Sequence, residues 1–178
     1  MGRRIFGLLS GAGLVAACLA VPATGRAQDL SDAQVAHVAV TANTIDADLA
    51  KLALERAHSS DVKAFARMMI DDHTGVNQKA AALAKKLNVT PVANDVSASL
   101  EKGAREARAN LVKLTGAAFD RAYIAREVEY HAAVLGAIDD LLIPTTENSE
   151  LKELLKTVRP AVAAHLERAR QIQQTVAQ

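Results

Sequence analysis

The chain has 178 residues, and 21 Lys and Arg stand against 20 Asp and Glu, giving a formal net charge of +1. This balance excludes a nucleic-acid binder that relies on a basic surface, and the single cysteine excludes disulfides within the chain. Alanine contributes 37 residues, Phe and Tyr together five, and Trp none, so the core is built from small and aliphatic side chains. High apolar content with low net charge also argues against disorder.

Residues 1–27 are typical of an export signal. Two arginines open the segment, an apolar run covers 5–21, and small residues at 25–27 suit cleavage before Gln28. A permanent membrane span is the weaker interpretation, because the run is short and contains glycines. Removing the segment takes away three arginines and leaves a mature domain, 28–178, with 18 basic and 20 acidic residues. We therefore expect a periplasmic or envelope-associated protein with no transmembrane domain in the mature chain.

Two other export routes stay open. Residues 15–18 resemble the short box before a lipidated cysteine, so Cys18 is a candidate for an acylated N-terminus. Arg3 and Arg4, followed by Ile5 and Phe6, resemble a twin-arginine signal, which exports folded proteins.

The rest of the chain predicts helices without strands. Apolar residues spaced by three and four predict four long helices, at about 32–57, 61–87, 117–142 and 149–174, and a more polar helix at about 95–114. Ser31 with Gln34 forms a plausible capping box, Asn88 is expected to end the second long helix, and Pro144 with Asn148 to separate the last two. The apolar stripe of the second long helix consists of Val62, Phe65, Met69, Val76, Ala80, Leu83 and Leu87.

Connection lengths predict the topology. Tight turns make the first and second long helices antiparallel, and likewise the third and fourth. The helix at 95–114 has a length of about 30 Å, which is enough to return the chain to the end of the bundle where the first connection lies. The second and third long helices would then run parallel. We therefore predict an all-α fold, a ferritin-like up-down four-helix bundle with a long helical crossover between its second and third helices. An all-antiparallel bundle with a fifth helix across one end stays open.

Polar side chains interrupt these apolar stripes. Counting residues from the helix turns places Asp46, His73 and His131 at the same height within roughly 3 Å. His165 is offset from His131 by roughly 7 Å, although a kink at Pro160 could move it. With the flanking carboxylates, the candidate metal ligands are Asp46, Asp72, His73, Glu127, His131 and His165.

Several short motifs occur in a characteristic order: DVKAFA at 61–66, MIDDH at 69–73, GAAFDRAY at 116–123, YH at 130–131, RPA at 159–161 and HLE at 165–167. Through them, residues 29–176 resemble a family of exported bacterial proteins, domain of unknown function 4142, placed among the ferritin-like folds. The resemblance implies an exported helical bundle and supplies no established activity. Many members carry Glu where Asp46 and Asp48 stand, and an acid where Tyr130 stands.

Three interpretations of function stay open. The favoured one is a non-enzymatic exported bundle with a buried polar layer, because a single histidine on a helix stripe is more often structural. The second is a metal-binding, redox or stress-protection protein holding one Zn, Cu or Fe ion, without the Glu-x-x-His pattern of di-iron bundles. The third is an interaction protein that docks an envelope partner or forms a homo-oligomer. No hydrolase or nucleotide-binding motif is present, so no catalytic residue is predicted.

Overall fold

The computed structural model describes residues 30–176, so the predicted export signal and Cys18 lie outside the described residues. Within this range every regular element is helical, which confirms the all-α prediction. No helix among these residues is both long and apolar enough to cross a membrane. The elements are α1 (Asp32–Arg56), α2 (Ser60–Leu87), α3 (Asp95–Leu111), α4 (Gly116–Ala137), a π-helical segment (Ile138–Leu142), α5 (Ile143–Thr145) and α6 (Ser149–Val176).

Local sequence signals fix the helix ends. The Ser31 hydroxyl accepts from the backbone N–H of Gln34, whose side chain accepts from the backbone N–H of Ser31, which confirms the predicted capping box. Asn94 and Ser97 form the same reciprocal pair at the start of α3. Asn88 ends α2 in the left-handed conformation, with φ of 53°.

Helix α3 runs along α1 in the same direction and returns the chain to the end at which α2 begins. Near its start, the side chain of Asn94 donates to the Gln34 carbonyl at 3.2 Å, at the beginning of α1. Just beyond its end, Arg56 at the end of α1 donates to the Val112 carbonyl at 3.2 Å. The predicted crossover therefore does carry the chain back along the length of the fold.

Helix α4 begins beside the turn between α1 and α2. The carboxylate of Asp120 accepts from the backbone N–H groups of His58 and Ser59, at 3.0 and 2.7 Å. Because α2 and α4 start at the same end and their midpoints are in contact through His73 and His131, the two helices run parallel.

The residues from 30 to 176 form five long helices, the four long ones predicted from the sequence and the more polar α3 between the second and the third. α1 packs mainly on α2, and α4 on α6, while smaller contacts join α2 to α6 and α1 to α4. α3 packs on α1 and contributes Leu111 to the core. It ends three residues earlier than expected, because the N–H groups of Lys113 and Leu114 bond to carbonyls three residues back and tighten the last turn.

Pro144 does not end the third long helix, contrary to the prediction. The N–H of Ile143 bonds to the Ile138 carbonyl, five residues earlier, and this wider π-helical turn accommodates a proline ring that would clash in an α-helix. The helix continues to Thr145, and α6 begins at Ser149. His131 thus lies 14 residues before Thr145 and His165 lies 16 residues after Ser149, which reduces the expected offset of roughly 7 Å to roughly 3 Å.

Two clusters of buried apolar side chains fill the interior. One contains Leu49, Phe65, Met69, Tyr123 and Ile172, and the other contains Val35, Val38, Ile138, Leu142 and Leu155. The buried histidines lie between these clusters along their helices. The apolar stripe of α2 is buried only in its first half, since Val76, Ala80, Leu83 and Leu87 stay partly exposed.

Asp120→Ala is expected to destabilise the fold by about 2–3 kcal/mol, because it removes the buried acceptor of two backbone N–H groups at the α1–α2 turn. The free energy of unfolding from urea titration measures this loss. The control is Asp71→Ala, an exposed carboxylate on α2 that should change stability by less than about 0.5 kcal/mol. Equal stability of the two variants would show that the Asp120 contacts do not hold the turn.

Candidate metal centre

Four helices each contribute one side chain to a single buried polar layer. Asp46 comes from α1, His73 from α2, His131 from α4 and His165 from α6, and they are 0, 6, 1 and 4% exposed. The sequence placed the first three at one height, and the structure brings these together. The structure also places His165 at this height, because the third long helix ends at Thr145 and not at residue 142.

The three imidazole rings form a triangle. Ring centroids are 5.8 Å apart for His73 and His131, 5.3 Å for His73 and His165, and 5.4 Å for His131 and His165. Each ring offers one nitrogen within 4.8 Å of the nitrogens of the other two. Asp46 Oδ2 lies 2.7 Å from His73 Nε2 and 3.4 Å from His131 Nε2, so the carboxylate borders the same space.

Each imidazole makes a hydrogen bond with the nitrogen that faces away from this space. The bonds are His73 Nδ1 to Asn43 Oδ1 at 2.6 Å, His131 Nδ1 to the Glu127 carbonyl at 3.0 Å, and His165 Nε2 to Asp72 Oδ2 at 2.9 Å. All three partners are oxygen acceptors, so each outer nitrogen carries the hydrogen. In a neutral ring, the inner nitrogen then carries no hydrogen and presents a lone pair to this space.

The amide of Asn43 has a defined orientation. Its Nδ2 donates to the Ala39 carbonyl at 2.9 Å, which turns Oδ1 toward His73. With Nδ1 protonated, His73 presents Nε2 to the Asp46 carboxylate at a short distance. Two acceptors this close require a cation or a second proton between them.

Four buried atoms on the inner side of the layer have no hydrogen-bond partner outside it among residues 30–176, although the first two lie 2.7 Å apart. They are Asp46 Oδ2, His73 Nε2, His131 Nε2 and His165 Nδ1, all buried. Buried polar atoms are almost always paired, so the three closely spaced histidine nitrogens and the adjacent Asp46 oxygen need an explanation. Outer hydrogen bonds that orient imidazoles, with bare nitrogens inside, are the usual arrangement around a protein-bound metal ion.

Arg126 neutralises the carboxylates behind the histidines. Its Nη1 lies 2.7 Å from Asp46 Oδ1 and 2.6 Å from Glu127 Oε1. The guanidinium carbon stands 3.8 Å from the centroid of the Tyr130 ring, a cation–π contact, and the Tyr130 hydroxyl donates to the Ala42 carbonyl. Because Arg126 occupies the outer oxygen of Asp46, only Oδ2 faces the imidazoles.

The electrostatic environment favours neutral imidazoles at His131 and His165 beside the ionised carboxylate of Asp46. Burial alone would raise the pKa of Asp46, but the adjacent His73 ring and the charge of Arg126 hold it well below its usual value. Burial raises the pKa of Glu127 well above its usual value, and the Asp46 charge adds to this effect. Burial lowers the pKa of His131 to about 4 and also lowers that of His165. Neutral imidazole is the form that binds metal ions.

The other two candidate ligands lie behind the histidines. The Asp72 side chain is 50% exposed and meets the outer nitrogen of His165. Glu127 is buried, and with Asp46 and His131 it forms a second group of closely spaced ligand atoms. Its Oε2, however, lies 3.4 Å from the outer nitrogen of His131, and Arg126 holds its Oε1. Both carboxylates therefore support the inner group.

Sequence reasoning missed two residues of this arrangement. Asn43 lies three positions before Asp46 and therefore shares its helix face. This spacing is the signal in the sequence that marks Asn43 as a neighbour of the site. Arg126 stands next to Glu127, but an arginine beside a glutamate is common on helix surfaces and gives no signal of a buried pair. Asp48, also considered as a carboxylate near the stripe, is exposed and pairs with Lys51 at 2.8 Å.

A family model described as a domain of unknown function, DUF4142, matches residues 16–172. The chain belongs to this family. The match spans all four helices of the polar layer, and it confirms the resemblance drawn from the sequence motifs. Comparisons with curated proteins and with solved structures gave no significant match. The family description names no activity.

Arg126→Met is expected to lower the free energy of unfolding by about 3 kcal/mol or more, because it leaves two buried carboxyl groups without their cation. Chemical denaturation followed by circular dichroism measures the loss. Arg121→Met, an exposed arginine on the same helix, is the matched control and should be close to neutral. If both variants unfold at the same denaturant concentration, Arg126 does not stabilise the layer.

Proposed function

We propose that the protein binds one transition metal ion through Asp46 Oδ2, His73 Nε2, His131 Nε2 and His165 Nδ1. The observation that carries the proposal is the pairing pattern of the histidines. All three outer nitrogens are hydrogen-bonded, while the three inner nitrogens and Asp46 Oδ2 have no partner outside the layer among the described residues, and within it only His73 Nε2 and Asp46 Oδ2 lie at hydrogen-bond distance, 2.7 Å. Three imidazoles and a carboxylate suit Zn²⁺, Cu²⁺ or Fe²⁺, and four such ligands from separate helices favour the tetrahedral coordination of Zn²⁺.

A buried polar layer without a metal is the competing interpretation. The Arg126 contacts to Asp46 and Glu127 fit it, since they satisfy the outer carboxylate oxygens. A second proton on His73 would also pair its Nε2 with Asp46 Oδ2. The metal-free layer still leaves His131 Nε2 and His165 Nδ1 without partners, and each unsatisfied buried polar atom costs about 1–3 kcal/mol. A metal ion would satisfy all four atoms at once, so we favour the metal site.

A small chamber beside the histidines is compatible with ligand exchange at the metal. Its volume is about 60 Å³, and its wall includes all three imidazoles and apolar side chains such as Val134 and Val162. A cavity of only about 10–15 Å³ is already large enough to hold one water molecule. Water or a ligand of similar size would therefore fit next to the bound ion.

We also propose that this metal-binding domain is exported and has a ferritin-like bundle formed by α1, α2, α4 and α6. The basic and apolar character of residues 1–27 supports export. The parallel course of α2 and α4, joined through α3, supports the single long crossover of such bundles.

The chain isolated from its own cells is expected to begin at Gln28, because small residues at 25–27 follow the apolar run. Intact-mass analysis of the periplasmic and membrane fractions measures the start. A chain that begins at an acylated Cys18 would identify the lipoprotein route. An unprocessed chain confined to the cytoplasm would contradict export.

The protein is expected to take up one Zn²⁺ or Cu²⁺ per chain, with a higher melting temperature in the loaded form. His73→Leu should abolish tight uptake, because it removes one inner ligand, while the variant stays folded. Elemental analysis after gel filtration, together with isothermal titration, measures the stoichiometry and the affinity.

His58→Leu is the matched control, since His58 is exposed at the α1–α2 turn and should leave uptake unchanged. A polar layer without a metal predicts a change in stability for His73→Leu and no uptake by the original protein. Absence of uptake by the original protein, or equal uptake by the His73→Leu variant, would overturn the proposed site.

A further inference from the structure

A second and larger cavity lies between the later half of α2, the start of α1 and the first half of α6. Its volume is about 340 Å³. For scale, an engineered apolar cavity of about 150 Å³ binds benzene, and small-molecule pockets begin near 300 Å³. The space is therefore large enough for a molecule of about twice the size of benzene.

The walls of this cavity explain why the apolar stripe of α2 is not fully buried. Val76, Ala80, Leu83 and Leu87 line this space together with Leu155 of α6, and of these four α2 residues only Leu83 also packs against the second apolar cluster. Helices usually bury such a stripe against another helix, because unfilled apolar volume costs stability. The small alanine side chains on the walls create the volume.

Most polar groups in the walls are already engaged within the protein, whereas Asn77 Oδ1 is buried without a hydrogen-bond partner among the described residues. The carboxylate of Asp32 accepts from the backbone N–H groups of Glu147 and Asn148, at 2.9 and 3.0 Å. Asn43 bonds to His73 and Ala39. Asp32 is the one charged side chain that lines the cavity among the described residues, and no basic side chain lines it. A charged ligand would therefore lose its hydration without gaining an ionic partner.

We propose that this cavity binds an uncharged, largely apolar molecule of about 10–14 non-hydrogen atoms, such as a two-ring aromatic compound. The cavity is adjacent to the chamber beside the histidines, because Ala39, Val76 and Leu155 line both. A ligand bound there would lie next to the polar layer. The proposal needs no metal in the layer, so its test is independent of the metal site.

The test is isothermal titration of the purified protein with 1-naphthol, which is uncharged at neutral pH. We expect saturable binding of one molecule per chain. The carboxylate analogue 1-naphthoate, similar in shape but charged, should bind at least about tenfold more weakly, because its charge finds no partner in the walls.

Ala80→Leu fills part of the cavity and should weaken 1-naphthol binding at least about tenfold while keeping or raising the melting temperature. Ala82→Leu is the matched control, because Ala82 is exposed on the same helix and lies outside the walls. If Ala80→Leu lowers the melting temperature, Ala84→Leu, another wall position, replaces it.

Three binding results would overturn the inference. They are the absence of saturable 1-naphthol binding, equal binding of the naphthoate, and equal weakening by the wall and control variants. A dimer in solution that dissociates on Ala80→Leu would also overturn it, because the cavity would then be an interface between two copies of the chain.

Discussion

The buried carboxylate of Asp46 is the interaction on which the interior depends. One oxygen contacts Arg126 on α4, and the other lies beside His73 on α2 and His131 on α4. A fully buried carboxylate is stable only with such compensation, so its contacts specify the relative heights of these three helices. His165 on α6 extends the same layer to the fourth helix through its contacts with the other two rings.

The layer divides the interior into two parts with different packing. On the side of the α1–α2 turn, large side chains such as Phe65, Phe119 and Tyr123 are fully buried and pack closely. On the other side, alanine-rich walls leave the chamber beside the histidines and the larger cavity next to it. The well-packed half can therefore hold the histidines in place, while the open half gives small molecules room to approach them.

The π-helical segment also contributes to the site, although it lies more than one turn away. It allows the helix to continue past Pro144 to Thr145, so only three residues join it to α6 at Ser149. The register of α6 then brings His165 to the height of His131. Pro160, which the sequence offered as a source of this adjustment, lies inside α6 without ending it. π-helical turns often occur near functional sites, and here one sets the register of a proposed ligand.

The sequence by itself determined the helices, most of their ends and the common height of Asp46, His73 and His131. These properties follow from apolar periodicity, capping residues and the constant rise of a helix, which depend on neighbours in the chain.

Only the tertiary structure decided which histidine nitrogens face inward, that Arg126 compensates Asp46, that α3 packs as a fifth helix, and that the second half of α2 borders a cavity. Each of these depends on groups far apart in the sequence, 80 positions in the case of Asp46 and Arg126. Helical periodicity marks the face that a side chain occupies, but the distance and angle to a distant partner follow from how the helices pack.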